Sequence, residues 1–125
     1  DNITFWPHPK DIDLDEIMKI EGVIEAEQFD QSGHLLKFRS SIMTPSQANL
    51  MAMMCGSTFS FISVLFDMTS RMMPCSIHPL QELKFTGLDY SIVLICEAYA
   101  CVGAMYKNGN TNVDSLIARI KELIG

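Results

Sequence analysis

A long stretch without charged side chains places the strongest limit on how this chain can fold. No charged residue occurs in Ser40–Phe66, although Asp, Glu, Lys and Arg make up 19% of the 125 residues. Thr44 is suited to cap the start of a helix, Pro45 to its first position, and Gln47 to complete a capping box with Thr44. Pro74 cannot continue a helix. The sequence therefore predicts one long helix within residues 44–73.

On a helical wheel this helix is apolar over most of its circumference, and only a narrow stripe is small or polar. The stripe consists of Asn49, Ala52, Gly56, Ser60, Ser63, Asp67 and Ser70. A helix with so much apolar surface must be covered on more than one side. Three arrangements satisfy this demand: a transmembrane helix, a central helix packed on one sheet with its stripe in water, or a helix whose stripe lets a second copy approach closely. The polar residues in the segment and the lack of a flanking basic cluster argue against membrane insertion.

The length of 125 residues indicates a single domain. Since 48% of the residues are hydrophobic, this domain can form a core of its own. The net charge of -6 and only nine Lys and Arg argue against nucleic acid as a partner. We expect an irregular N-terminal arm over residues 1–12 and a single domain over residues 13–125. Phe5 and Trp6 of the arm either dock on the domain or reach a partner.

The four cysteines, Cys55, Cys75, Cys96 and Cys101, show no CxxC spacing. Most of them lie in apolar surroundings. We therefore expect reduced, buried thiols in a cytoplasmic protein. No signal peptide pattern is visible in the sequence.

Val23–Phe29 and His34–Ser40 are predicted to form a hairpin around the turn Asp30–Gly33. Pairing Asp30 with His34 brings residues of opposite charge together across the strands, which favours that register. The predicted pairs are Glu25 with Arg39 and Glu27 with Lys37, and the predicted core-facing residues are Ile24, Ala26, Leu36 and Phe38.

Further elements follow on both sides of the hairpin and the long helix. A capping box at Asp13 predicts a short first helix, and Asn112 can cap a last one. The remaining predicted strands are Leu80–Thr86, Tyr90–Cys96 and Ala100–Tyr106. The expected fold class is α+β, an α/β sandwich. A five-stranded antiparallel sheet carries the long helix on one face and the two terminal helices on the other.

This order of elements resembles the roadblock / dynein light-chain superfamily, a relative of the longin and profilin-like folds. Three short matches carry the resemblance: Ile20–Val23, Asp30–Gly33 and Leu88–Ile92. The segment Met51–Cys55 is similar to a small prokaryotic branch of that superfamily.

The resemblance implies a non-catalytic protein without a cofactor, which forms homodimers or heterodimers. In this family the long helices pair and the middle strands join edge to edge. Many members act as platforms or regulators for small Ras-like GTPases, or as adaptors in larger complexes. The dimer or partner interface expected from the resemblance contains Asn49, Ala52, Met53, Gly56, Ser60, Ser63, Asp67, Leu83 and Phe85.

A second hypothesis is a small-molecule-binding or thiol/redox protein. Its pocket would lie between the long helix and the sheet, lined by some of the nine methionines, with Cys55 or Cys101 reactive. The sequence contains no P-loop, GxGxxG, GxSxG, HExxH or EF-hand pattern. Its three histidines, His8, His34 and His78, lack metal-binding spacing. We therefore expect no catalytic residues, no metal and no cofactor.

Overall fold

The computed structural model describes residues 10–97 and 100–125. Three helices and five strands follow one another along these residues. In chain order they are α1 (Leu14–Met18), β1 (Val23–Phe29), β2 (Leu35–Ser40), α2 (Pro45–Ser70), β3 (Glu82–Thr86), β4 (Tyr90–Glu97), β5 (Ala100–Lys107) and α3 (Val113–Ile124).

The five strands form one sheet in the order β2-β1-β5-β4-β3, and every neighbouring pair is antiparallel. One face of the sheet packs against α2, and the other packs against α1 and α3. The predicted fold class is therefore confirmed. Strands β2 and β3 are the two edges of the sheet, so each has one side without a neighbouring strand among residues 10–97 and 100–125.

Helix α2 begins as the sequence predicts. The Gln47 backbone N–H donates to Thr44 Oγ1 over 3.2 Å, and the Thr44 N–H donates to Gln47 Oε1 over 2.9 Å. Both halves of the capping box are thus formed. The helix ends at Ser70, three residues earlier than the predicted limit, because the Met72 N–H already bonds to the Thr69 carbonyl in a turn.

The segment before α1 is fixed to the sheet by one buried side chain. Gln28 of β1 accepts a hydrogen bond from the Ile12 N–H and donates one to the Lys10 carbonyl. Ile12 itself is 1% exposed and belongs to the apolar core between the sheet and the terminal helices. The predicted roles of Phe5 and Trp6 lie outside the described residues.

The predicted register of the β1–β2 hairpin is wrong. The Asp30 N–H donates to the His34 carbonyl over 3.0 Å, as expected. A bulge between Gln28 and Phe29 then shifts the pairing by one residue, so that Glu25 lies opposite Ser40 and Glu27 opposite Phe38. A shift of one residue reverses the face on which each side chain lies.

The basic residues of β2 find other partners in the observed register. Lys37 bonds to Asp11, and Arg39 Nε lies 3.3 Å from an oxygen of Asp15. Leu36, which the sequence placed in the core, is 46% exposed. The two basic residues that favoured the predicted register are therefore paired with other acidic residues, and Glu25 and Glu27 are left without basic partners.

Candidate functional site

Helix α2 is apolar on both of its sides, but the sheet covers only one of them. Its buried residues are Ala48, Met51, Ala52, Cys55, Gly56 and Phe59. No residue of α2 after Phe59 is buried. The side away from the sheet, which we call the outer face of α2, presents large apolar side chains that are each at least 41% exposed: Leu50, Met53, Met54, Phe61, Val64, Leu65 and Met68.

The small stripe of α2 meets the hairpin turn of its own chain. A Cβ atom added at Gly56 would lie 2.6 Å from the Cα atom of Gly33 and 2.7 Å from the Asp30 carbonyl oxygen. Gly33 has a φ of 89°, a backbone conformation that suits glycine. The close approach that the sequence predicted for a second helix is therefore made by the chain's own turn.

The other predicted interface residues of α2 lie around this packed centre. Ala52 is fully buried, and the Ser60 hydroxyl donates to the Gln31 carbonyl in the same turn. Asp67 forms an ion pair of 2.8 Å with Arg71. The remaining three differ in exposure: Asn49 and Met53 are exposed and Ser63 is half-buried. A second helix can therefore reach the margin of the stripe, and Met53 on the outer face, but not Ala52 or Gly56.

The predicted residues of β3 lie on an edge strand. Leu83 and Phe85 point to the α2 side of the sheet, where they pack against the same apolar cluster as Ile62 and Phe66 of α2. In the part of the chain that the structure describes, strand β3 pairs with β4 along one side only. Its other side is therefore a free sheet edge, on a strand that shares an apolar cluster with the second half of α2.

Two buried glutamates lie beneath α2, and sequence analysis missed them. Glu25 and Glu27 are both 0% exposed, and none of their four carboxyl oxygens has a hydrogen-bond partner outside the pair. They share one face of β1 with Phe29, which is buried in the α2-side cluster. The sequence did contain a signal for this, because side chains alternate between the two faces of a strand. If Phe29 faces the core, the side chains two and four residues before it face the core as well.

Burial is the main cause of the unusual titration of this pair. It raises the pKa of Glu25 to about 7 and the pKa of Glu27 to about 10. A hydrogen bond between the two carboxyls further raises the pKa of Glu27 and lowers that of Glu25, and the charge of Glu25 adds to the rise at Glu27. The described residues form no cluster of three metal-binding side chains that includes the pair. At neutral pH the pair therefore retains at least one proton, which reduces the charge beneath α2.

Cys55 projects from α2 into the same region. Burial first, and then the charges of Glu27 and Glu25, raise the pKa of this thiol to about 12. The thiolate is the nucleophilic form of cysteine, so a thiol with this pKa reacts slowly at neutral pH. The proposal that Cys55 is a reactive residue is therefore unsupported by its surroundings.

The prediction of four reduced, buried thiols is wrong for two reasons. Cys96 and Cys101 lie directly opposite each other in the β4–β5 ladder, with Cα atoms 4.1 Å apart, and are joined as a disulfide. Antiparallel pairing brought them together, since it places the two side chains on the same face. Of the two free cysteines, Cys55 is buried but Cys75 is exposed.

A cavity of about 430 Å³ lies beside the second half of α2 and reaches this disulfide. Its lining residues are Gln31, Phe59, Ser63, Pro79, Leu80, Gln81, Cys96 and Glu97. None of these lining residues is a methionine, in contrast to the methionine-lined pocket that the second sequence hypothesis required. Cys96, rather than Cys55, is the cysteine in the cavity wall.

Helix α2 is also long and apolar enough to cross a membrane, judged by length and composition alone, and 28% of its apolar stretch is buried. Core helices of other proteins satisfy the same two conditions. The packing of its inner face on the sheet and the capping box at its start describe a helix that is part of the folded domain.

The architecture is similar to that of solved roadblock structures. A Roadblock/LC7 domain from Streptomyces avermitilis superposes with a TM-score of 0.73 at 9% identity, covering 86% of this chain and 84% of that one. The protein MglB in a structure with a tetrameric arrangement gives 0.71 at 14% identity, covering 89% and 79%. MglB from Myxococcus xanthus gives 0.68 at 12% identity, covering 86% and 82%. These similarities show that the chain has a roadblock-like fold.

Sequence comparison places the chain in a family. A search of curated proteins gives no significant match. The family model described as "Uncharacterized conserved protein (DUF2173)" matches residues 13–122, which is nearly the whole of the predicted domain. The chain therefore belongs to the DUF2173 family and folds as a roadblock-like domain.

Proposed function

We propose that this chain is a non-catalytic protein-interaction module that associates with a second copy of itself. The two copies meet through the outer face of α2 and the free edge of β3. The resulting dimer is a platform for a further protein, and a small Ras-like GTPase is the partner class that we propose.

The observation that carries the proposal is the apolar outer face of α2. Phe61, Val64 and Met68 are each at least 58% exposed, and they follow one another along the solvent side of the helix. Single exposed apolar residues are common, but a continuous row of them on a folded domain is typical of a binding surface. A protein partner would remove this surface from water.

The β3 edge is the reason for choosing a second copy as the first partner. An edge strand has unpaired backbone groups that can bond to another strand. Two identical edges related by a two-fold axis can pair antiparallel, and the same axis brings two α2 helices together on one side of the enlarged sheet. The tetrameric arrangement described for MglB, which has the same fold, supports assembly between copies.

The GTPase as a further partner is supported by the resemblance to roadblock proteins. The absence of charge along Ser40–Phe66 agrees with a surface that binds another protein through apolar contacts. The net charge of -6 is unsuited to binding nucleic acid or an anionic membrane surface.

Sedimentation velocity over a dilution series tests self-association. We compare the wild type with Phe61→Glu and Met68→Glu, which place a charge on the outer face, and with Ala118→Glu, which places one on an exposed position of α3. We expect the wild type and the α3 control to be dimers above about 10 μM, and both outer-face variants to be monomers. A wild type that remains monomeric at about 100 μM contradicts the proposed dimer, because stable interfaces are tighter than this.

A calorimetric titration tests the partner class separately. The dimer is titrated with each small Ras-like GTPase of the source cell, loaded either with GDP or with a non-hydrolysable GTP analogue. Binding that depends on the nucleotide supports the GTPase proposal. No binding to any of them at about 100 μM, corresponding to less than about 5.5 kcal/mol, contradicts that proposal and leaves the dimer standing.

A further inference from the structure

We propose that Cys96 and Cys101 form a thiol–disulfide exchange site, at which a small uncharged thiol reduces the bond and a disulfide of the same class restores it. The inference goes beyond the interaction role and does not depend on dimer formation, because every residue that carries it belongs to one chain.

The disulfide adds little to the folded hairpin. It joins residues only five positions apart, so it closes a short loop, and the entropic gain from a crosslink is smallest for short loops. The β4–β5 ladder already pairs Cys96 with Cys101 and continues beyond them to Glu97 and Ala100. The hairpin therefore does not require the covalent bond in order to form.

The other cysteines indicate a chain adapted to thiols in the reduced state. Cys75 is a free and exposed cysteine, and Cys55 is a free cysteine in the core. An exposed free thiol is a liability where disulfides form readily, since it is open to oxidation and to crosslinking. In an environment that keeps thiols reduced, a disulfide is usually transient and takes part in redox chemistry.

The cavity beside α2 gives a small molecule access to one sulfur atom of the pair. Cys96 forms part of the wall of this cavity of about 430 Å³, together with Phe59 and Leu80. Cys96 is 5% exposed and Cys101 is 3% exposed, and of the two only Cys96 is among the lining residues. A thiol of a few heavy atoms fits this space, whereas a folded thiol protein does not. Glu97 also lines the cavity and disfavours anionic thiols.

The exchange proceeds in two balanced steps. A thiolate from the cavity attacks Cys96 Sγ, the Cys96–Cys101 bond breaks, and Cys101 leaves as a thiolate that takes up a proton. A second thiolate then attacks the sulfur of the bound small thiol, and Cys96 leaves as a thiolate and is protonated. The net change reduces the protein disulfide to two thiols and oxidises two small thiols to one disulfide.

Equilibration of the full chain tests the proposal. The folded protein is incubated in mixtures of 2-mercaptoethanol and its disulfide over a range of ratios, quenched in acid, alkylated and analysed by peptide mass spectrometry. We expect the pair to pass from disulfide to dithiol and back, with unchanged far-ultraviolet circular dichroism and unmodified Cys55. A bond that is reduced only after unfolding in urea contradicts the proposal, as does a pair that remains reduced in every mixture.

Two matched variants test which sulfur is attacked. Cys101→Ser leaves Cys96 in the cavity wall, and Cys96→Ser leaves Cys101 behind it; both carry Cys75→Ser to remove the exposed thiol. With hydroxyethyl disulfide we expect Cys96 to form the mixed disulfide at least about tenfold faster than Cys101 does, because access controls the rate. Equal rates contradict the assignment. Should either variant not fold, the wild-type equilibration decides the proposal alone.

Discussion

Replacing Glu27 by glutamine removes one of two ionisable groups that are buried beneath α2 without a partner outside the pair. In the unfolded chain both carboxyls ionise near pH 4.5, whereas burial raises the pKa of Glu25 to about 7 and that of Glu27 to about 10 in the fold. Above pH 4.5 the folded state therefore holds protons that the unfolded state releases. Because the folded state binds more protons than the unfolded state, the free energy of unfolding falls as the pH rises.

The magnitude follows from the size of these shifts. Each pKa unit corresponds to about 1.4 kcal/mol, so holding one proton on Glu27 from pH 4.5 to pH 7 costs on the order of 3 kcal/mol. Glutamine has nearly the same shape as a protonated glutamate and does not titrate. We expect Glu27→Gln to match the wild type near pH 4.5 and to exceed its stability by about 3 kcal/mol at pH 7.

Urea unfolding followed by circular dichroism, repeated from about pH 4.5 to pH 8, measures this difference. Glu21→Gln is the matched control, because Glu21 is exposed at the start of the same hairpin. The control should follow the wild-type curve. A wild-type stability that is level over this range, or a Glu27→Gln curve parallel to it, would show that a group outside the pair stabilises the ionised carboxyls and would refute the reasoning.

Three further predictions concern the packing around α2 and the β3–β4 turn. Gly56→Val should lower the free energy of unfolding by about 1–3 kcal/mol, because the valine side chain would collide with Gly33. Ser57→Val, on the exposed side of the helix, is the control and should lower it much less. Equal decreases for the two variants in urea unfolding would contradict the contact. Thr44→Ala should cost about 1 kcal/mol in the same assay, because it removes one half of the capping box; no change would mean that the cap is not formed. Asn108→Ala should lower the free energy of unfolding by about 1–2 kcal/mol and speed hydrogen exchange in the β3–β4 turn, because the Asn108 side-chain amide donates to two carbonyls there. Unchanged exchange would contradict a stabilising role of Asn108 in this turn.

The order of the elements could be predicted because each one has a local signal. The capping box at Thr44 is formed as predicted, and Asn112 accepts from the Ser115 N–H at the start of α3. Strand β1 occupies Val23–Phe29, the predicted range. Helix caps and the alternation of polar and apolar residues in a strand depend on residues close together in the sequence. They can therefore be recognised without knowing the tertiary structure.

The hairpin register could not be predicted from charge pairing. Exposed ion pairs contribute little to stability, so Lys37 and Arg39 can exchange one acidic partner for another at small cost. A single bulge beside Phe29, which has no distinctive sequence signal, changed the β2 partners of Glu25 and Glu27. Strand β1 is also covered on both faces, with Ala26 buried on the side of α1 and α3 and Phe29 on the side of α2, so neither face could leave the two carboxyls in water.

The residues of the predicted interface differ in their surroundings. Met53 is exposed and Leu83 and Phe85 are half-buried on an edge strand, whereas Ala52 and Gly56 are covered by the hairpin turn. A helix apolar on all sides shows that it needs two neighbours, but its sequence does not say which neighbour takes which side. That choice depends on tertiary contacts made by residues about 25 positions away.

Hydrogen exchange of the β3 amides, measured at high and at low protein concentration, tests the proposed assembly most directly. The amides of β3 that do not bond to β4 should be protected at high concentration and should lose this protection on dilution. Phe61→Glu should remove the protection at every concentration. Exchange at these amides that is the same in the concentrated and the dilute protein would contradict an assembly through the β3 edge.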